Sequence, residues 1–183
     1  MKTDIDLTRR HIIVEGPPGS STEFVVDRLF KVLLRRGILA RSFGTSSYAT
    51  DPVLRAMQEV AQRRELALKR YEGTIVLDGG VRGLRARAKA LTLPALAHLA
   101  DAEAEADRGD GIPRVYLHVD ASDFRLDSRL GYDADDDDRA LRAAYREAHD
   151  AESFSTDLRV DAVVDEMLHR VVLPMLGRAE VSA

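Results

Sequence analysis

Hydrophobic positions in this chain alternate between short β-branched runs and longer helical stripes. His11-Ile12-Ile13-Val14-Glu15 ends at Gly16-Pro17-Pro18-Gly19, which reads as a buried strand entering a tight loop. From Ser21 to Arg36, Val25, Val26, Leu29, Phe30, Val32, Leu33 and Leu34 fit a helix with a broad buried face closed by Arg35-Arg36-Gly37. Ser20, Ser21 and Thr22 are its candidate N-caps. Ile38 to Phe43 reads as a second strand, followed by a polar loop with Gly44, Thr45, Ser46 and Ser47. Asp51-Pro52 opens a helix running to about Tyr71, and Gly73 stops it before a third strand, Thr74 to Asp78, which breaks at Gly79-Gly80. Gly83 to Asp107 is Ala- and Leu-rich and helical, with Pro94 marking a kink or a boundary. The turn Arg108-Gly109-Asp110-Gly111 leads to a fourth strand, Val115 to Val119. A weak fifth strand is read at Leu158-Arg159-Val160, before a terminal helix from Asp161 to Leu176.

Strands that alternate with helices and are apolar throughout indicate a parallel sheet covered on both faces, hence an α/β fold. Ligands of such sheets bind beyond the carboxyl ends of the strands. Two of these ends stand out, the loop Glu15 to Thr22 and the segment Asp78-Gly79-Gly80-Val81-Arg82, and a site is expected between them. With 183 residues and 45% hydrophobic content, the chain is expected to form one domain spanning residues 1–183. No apolar run approaches the roughly 18 residues of a membrane span. Lys and Arg total 27 against 31 Asp and Glu, a formal charge of −4, which argues against binding a nucleic-acid backbone. Cysteine is absent, so disulfides and thiolate metal sites are excluded, and no metal site is expected. The start Met1-Lys2-Thr3-Asp4 lacks the layout of a signal peptide, and a cytoplasmic location is expected.

A glycine-rich turn opening a helix directs unpaired amides and the positive end of the helix dipole at one spot, which suits phosphate. The full motif is G-x-x-x-x-G-K-[ST], with Lys on the β/γ-phosphates and the hydroxyl on magnesium. Only four lysines exist, at 2, 31, 69 and 89, and none falls in this loop. In one register Ser21 replaces the motif's second glycine, Thr22 the lysine and Glu23 the hydroxyl residue. In another, two residues are deleted and Ser21-Thr22 are the usual hydroxyl pair. Lys31 lies over two helical turns away. The plainer alternative is a strand-to-helix turn whose glycines serve sterics. Gly16, Gly19, Ser20, Ser21 and Thr22 are the candidate phosphate-binding residues.

The order of features resembles the thymidylate kinase group of P-loop nucleoside and nucleotide kinases over nearly the whole chain. The resemblance rests on Ile12-Ile13-Val14-Glu15-Gly16, on Glu72-Gly73-Thr74-Ile75-Val76-Leu77-Asp78 and on Val115-Tyr116-Leu117-His118-Val119-Asp120. It implies a three-layer sandwich with a five-stranded parallel sheet, a homodimer, and transfer of the γ-phosphoryl of ATP, with magnesium, to a deoxynucleoside monophosphate. It also implies a lid at about residues 125–145, with Arg125 and Arg129 as its arginines. Asp78 matches the family's Asp-Arg pair, but Gly79 follows it, leaving Arg82 as the substitute. The acceptor-binding arginine falls on Gln58, with Arg55 nearby.

Further candidates come from the residues themselves. Phe43 and Tyr48 follow the second strand, where a base could stack or the rings could simply pack. Arg82, Arg85, Arg87 and Lys89 could replace the lost lysine or form a helix surface. His11 and His118 read as packed strand residues, and the Ala-rich stretch Ala95 to Ala106 reads as a dimer helix or a solvent-facing one. The run Asp135-Asp136-Asp137-Asp138, with Asp133 near it, reads as a solvated loop, as a group that would repel a triphosphate, or least of all as a cation surface. Missing charges at several positions lead to an expectation of nucleotide or phosphate binding with phosphoryl transfer weakened or lost. The alternatives are an active phosphotransferase using arginines, and a purely structural or protein-interaction role.

Overall fold

The computed structural model describes residues 9–44, 50–69, 71–131, 135–148, 153–157 and 159–177. Five parallel strands form one sheet in the order β2-β3-β1-β4-β5. They are β1 (Arg10–Glu15), β2 (Ala40–Phe43), β3 (Thr74–Asp78), β4 (Arg114–Asp120) and β5 (Ser153–Ser155). The helices are α1 (Thr22–Arg35), α2 (Pro52–Leu68), α3 (Val81–Ala90), α4 (Pro94–Gly109), α5 (Asp123–Leu130), α6 (Asp136–Ala148), α7 (Val160–Met167) and α8 (Leu173–Gly177).

Alternate residues of the central strands enter cores on opposite faces, as a sheet buried on both sides requires. Ile12, Val14, Val76, Leu117 and Val119 pack with Val25, Leu29 and Leu33 of α1 and with Val163, Val164 and Met167 of α7. Ile13, Ile75 and Leu77 form the opposite face, while Ala56, Val60, Leu84 and Leu96 join α2, α3 and α4. No helix among the described residues is long and apolar enough to cross a membrane.

Punctuation residues set the helix ends. Pro94 begins α4, because its missing N–H lies in a turn where no acceptor is available, so the Ala-rich segment is two helices. Asp51 caps α2, its carboxylate accepting from Val53 N at 2.9 Å and Leu54 N at 2.8 Å. Asp51→Ala is therefore expected to lower stability by about 1 kcal/mol. A denaturant midpoint identical to the parent's would show that this cap contributes nothing.

Three sequence expectations are corrected. The fifth strand is Ser153–Ser155; Arg159 instead caps α7, and Leu158 lies outside the described residues. Asp136, Asp137 and Asp138 open a helix, α6, where negative charge matches the dipole, and Asp135 Oδ1 accepts from Asp138 N at 2.8 Å. Asp133 and Tyr48 lie outside the described residues, as do Thr45, Ser46 and Ser47. The terminal helix is interrupted at Leu168–Val172 by a π-helical turn in which Leu173 N donates to Leu168 O. Pro174, which has no N–H to offer the Arg170 carbonyl, accounts for the wider turn.

Candidate functional site

The sheet order changes direction at β1, which lies between β3 and β4. At its carboxyl end the loop 16–21 and the start of α1 border a cleft of about 750 Å³. Asp78 and Gly79 after β3, Arg55 and Glu59 from α2, Arg87 from α3, Arg129 and Leu130 from α5, and Leu141 and Tyr145 from α6 complete its walls.

Close packing under the loop fixes its shape. A Cβ on Gly16 would lie 2.2 Å from Val119 O and 2.4 Å from Ser20 Oγ, so no larger residue fits. Gly19 and Ser21 both have positive φ, 84° and 67°. Ser21 is the residue before α1 but makes no side-chain cap bond, so the expected hydroxyl cap is absent. Its left-handed backbone is one that glycine adopts without cost, which favours the register in which Ser21 stands at the motif's glycine and Thr22 at its lysine. Among the described residues, the amides of Gly19, Ser21, Thr22 and Glu23 have no backbone acceptor, which leaves donors for an anion. Ser20 differs: its amide donates to Pro17 O at 3.0 Å, and the residue is 1% exposed.

From the far side, Arg129 and Thr156 hold the loop. Arg129 Nη1 donates to Gly19 O at 3.2 Å and to Thr156 Oγ1 at 2.9 Å, and Nη2 donates to Thr156 O. The Thr156 hydroxyl lies 3.1 Å from Ser20 O and 3.0 Å from Asp120 O, to which it donates. Arg142 bonds Asp127, and Arg146 bonds Asp120 and Asp123, so these two α6 arginines tie α6 to α5 and to the end of β4.

The floor of the cleft is acidic and buried. Glu15 is 1% exposed, and its Oε1 accepts from Gly83 N at 2.8 Å. Burial pushes its pKa up to about 7, against the opposing effect of the Gly83 and Gly80 amides and the charges of Arg63 and Arg82. A Cβ on Gly83 would lie 2.9 Å from Tyr145 Oη and 3.2 Å from Glu15 Oε1, so this glycine admits α3 against both side chains. The Asp78 pKa is also raised, chiefly by burial, while the Thr22 hydroxyl donates to it. Arg87 Nη2 pairs with Glu59 at 2.5 Å, both side chains being mostly buried. Burial disfavours the Arg87 charge, but the Glu59 hydrogen bond and the nearby acids outweigh it and raise its pKa.

The structure thus brings Gly16, Gly19, Ser20, Ser21, Thr22, Asp78, Arg55 and Arg129 to one cleft. Arg82 is not among its walls; the guanidinium lies over the Tyr116 ring, 4.5 Å from its centroid. Gln58 and Arg125 are exposed and also outside the walls. Phe43 packs on Tyr71 with ring centroids 5.5 Å apart, away from the cleft. His11 and His118 are buried strand residues, and Lys31 pairs with Asp27 at 2.6 Å. Sequence reasoning missed Phe24, Glu59 and Tyr145, and weighed Arg87 only as one of a cluster. Phe24, 61% exposed on the first turn of α1, is an aromatic ring at the cleft alongside Tyr145. Its signal in the sequence was its place three residues past the left-handed turn, next to the expected phosphate site.

No protein-family profile and no curated protein sequence matches this chain. Its fold is similar to that of thymidylate kinase from Ehrlichia chaffeensis in a crystal structure, with a TM-score of 0.59 and 14% identity. The match covers 88% of this chain and 98% of that one. A likeness at this identity is one of fold: a five-stranded parallel sheet of the thymidylate kinase type, flanked by helices.

Proposed function

We propose that the chain binds a nucleotide or a related phosphate compound in the cleft at the loop 16–22, and that phosphoryl transfer is weakened or lost. The observation that carries this reading is the engagement of the charged groups. Arg87 is held by Glu59, and Arg129 by Gly19 O and Thr156. Transfer of a γ-phosphoryl group relies on cations placed on the migrating charge, and a P-loop enzyme takes one from the loop lysine. Thr22 stands there instead. In the same register Glu23 stands where the magnesium-binding hydroxyl would be, and the Thr22 hydroxyl is bonded to Asp78. The residues present fit an anion at the loop amides and do not fit a transfer-competent ATP–magnesium complex.

One observation favours a second reading, an active phosphotransferase with a relocated cation. Arg87 lines the cleft beside Asp78 and would serve if a ligand displaced Glu59, since Arg is a competent phosphate ligand. A single experiment separates the readings. ADP release from ATP and magnesium is measured against pooled deoxynucleoside monophosphates and nucleosides, with melting curves in ATP, ADP, dTMP and dTTP, with and without a chelator. The expected result is no acceptor-dependent release, and a melting point raised by nucleotide whether or not magnesium is present. Binding at 100 times Kd stabilises by about 2.7 kcal/mol. Acceptor-dependent release that Arg87→Ala abolishes would establish the second reading. Melting curves indifferent to every nucleotide would leave a structural or interaction role.

A further inference from the structure

The walls of the cleft hold more negative than positive side chains. Among the described residues that line it, Glu15, Glu23, Glu59 and Asp78 stand against Arg55, Arg87 and Arg129, which leaves one carboxylate in excess when all are ionised. An anion entering at the loop amides therefore meets like charge, and a buried floor screens that repulsion weakly. The excess is removed where a carboxylate takes a proton at the least cost. Glu23 is exposed and keeps its hydration. Glu59 is held by Arg87, and neutralising it would strand a mostly buried guanidinium. Asp78 receives the Thr22 hydroxyl, which favours its charged form. Glu15 is fully buried, immediately precedes the loop, and is fixed on the floor by the bond from Gly83 N to its Oε1.

We propose that the cleft binds its anionic ligand together with a proton, which neutralises Glu15. The inference rests on the reading of the cleft as a nucleotide or phosphate site. The groups around Glu15 set the direction of the coupling. From α3 the amides of Gly80 and Gly83 and the charges of Arg82 and Arg87 favour its ionised form, as does Arg63 from α2. Tyr116 of β4 and Tyr145 of α6 stay neutral, their pKa values pushed up by burial and by nearby acids. His118, its neighbour across β4, also stays neutral, because burial lowers its pKa. Burial outweighs the charges that favour ionisation and holds the Glu15 pKa at about 7, so the group is partly ionised at neutral pH. A phosphate group at the loop adds negative charge and raises that pKa further. A proton is then taken up on binding, and by linkage the affinity falls as pH rises through this range.

The test is titration calorimetry of the full chain at pH 7.5 with ATP, ADP, dTMP and dTTP, a chelator present, in buffers that differ in ionisation enthalpy. The dependence of the heat on the buffer counts the protons bound. A tenfold rise in the proton affinity of Glu15 corresponds to uptake of about half a proton per ligand, and to binding about sevenfold weaker at pH 9 than at pH 6.5. The ligand phosphates titrate in the same range, but they do so equally with the parent and with Glu15→Gln, so the difference between the two proteins isolates Glu15. The variant is expected to take up about half a proton fewer and to lose the sevenfold dependence. The carboxyl 13C signal of Glu15 gives the same answer in the parent alone, its titration midpoint moving up by about one pH unit when nucleotide is bound. Binding with equal proton counts in the two proteins, or an unmoved midpoint, overturns the inference and leaves the cleft a nucleotide site. No heat with any of the four nucleotides overturns the reading of the cleft itself, and the inference with it.

Discussion

Gly16→Ala is expected to destabilise the fold by about 3 kcal/mol, at the upper end of the range for overpacked positions. The added methyl would meet a backbone carbonyl, Val119 O, at 2.2 Å, and the buried Ser20 hydroxyl at 2.4 Å. The hydroxyl can turn about its own bond, but the carbonyl cannot rotate away. It belongs to β4, which is paired on both sides in the sheet, and the Ser20 backbone is fixed through its amide to Pro17 and through its carbonyl to Thr156. Relief therefore requires β1 and β4 to separate at their carboxyl ends, which also deforms the loop. For a domain of this size the melting point should fall by roughly 10 °C. A thermal scan of Gly16→Ala within a degree of the parent would refute the packing argument.

The second large effect concerns Glu15 and has a definite sign. Its folded pKa, about 7, lies above the ordinary carboxylate value of 4.5, so folding favours the neutral form. Below pH 4.5 the group is protonated in both states and contributes nothing. Above pH 7 it is ionised in both, and the folded state carries the whole burial penalty. Stability from this group is thus lost as pH rises from 4.5 to 7, by about 3 kcal/mol in total. Glu15→Gln keeps an acceptor for Gly83 N and has no charge to lose. Urea unfolding across this range should find the variant close to the parent at pH 4.5 and about 3 kcal/mol more stable at pH 8. His11, whose pKa shifts the other way, loses stability as pH falls, but it does so in both proteins and cancels in the difference. Parallel pH profiles would mean that Glu15 is ionised in the fold at neutral pH. Its neutral form also leaves the loop with one fewer negative charge beneath it, in keeping with an anion above.

The central sheet was legible because its strands are buried on both faces, so Ile12 to Val14 and Ile75 to Leu77 appear as unbroken apolar runs, and Leu117 to Val119 is broken only by the buried His118. The loop was legible for the same reason, since the run stops abruptly at Gly16-Pro17-Pro18-Gly19. Residues 123–148 were not. Their helices bury few apolar side chains, Leu126 and Ala144 among them, and are fixed largely by arginine–aspartate pairs whose partners lie far apart in the chain. Within the site, helix phase decided which charge faces the cleft. Arg82 and Arg87 lie about 140° apart around α3. Only the packing of Leu84, Ala86 and Ala88 shows that Arg87 turns toward the cleft and Arg82 toward Tyr116. On α2 the same reasoning separates Arg55 and Glu59, which face the cleft, from Gln58, which faces solvent. The aromatic at the site was sought after β2, at Phe43, but Phe24 stands at the cleft because α1 starts beside it.

The Thr156 hydroxyl, buried and shared between the carbonyls of Ser20 and Asp120, has a consequence for synthesis. The loop it braces leaves the ribosome more than 100 residues before Arg129 and Thr156 do. A nascent chain that already contains β1, α1 and the glycine loop has no means of fixing the Gly19 and Ser20 carbonyls, and the loop takes its shape only once Arg129 and Thr156 have emerged. Such long-range closure slows folding, and it couples the cleft's shape to synthesis of the segment that carries Thr156.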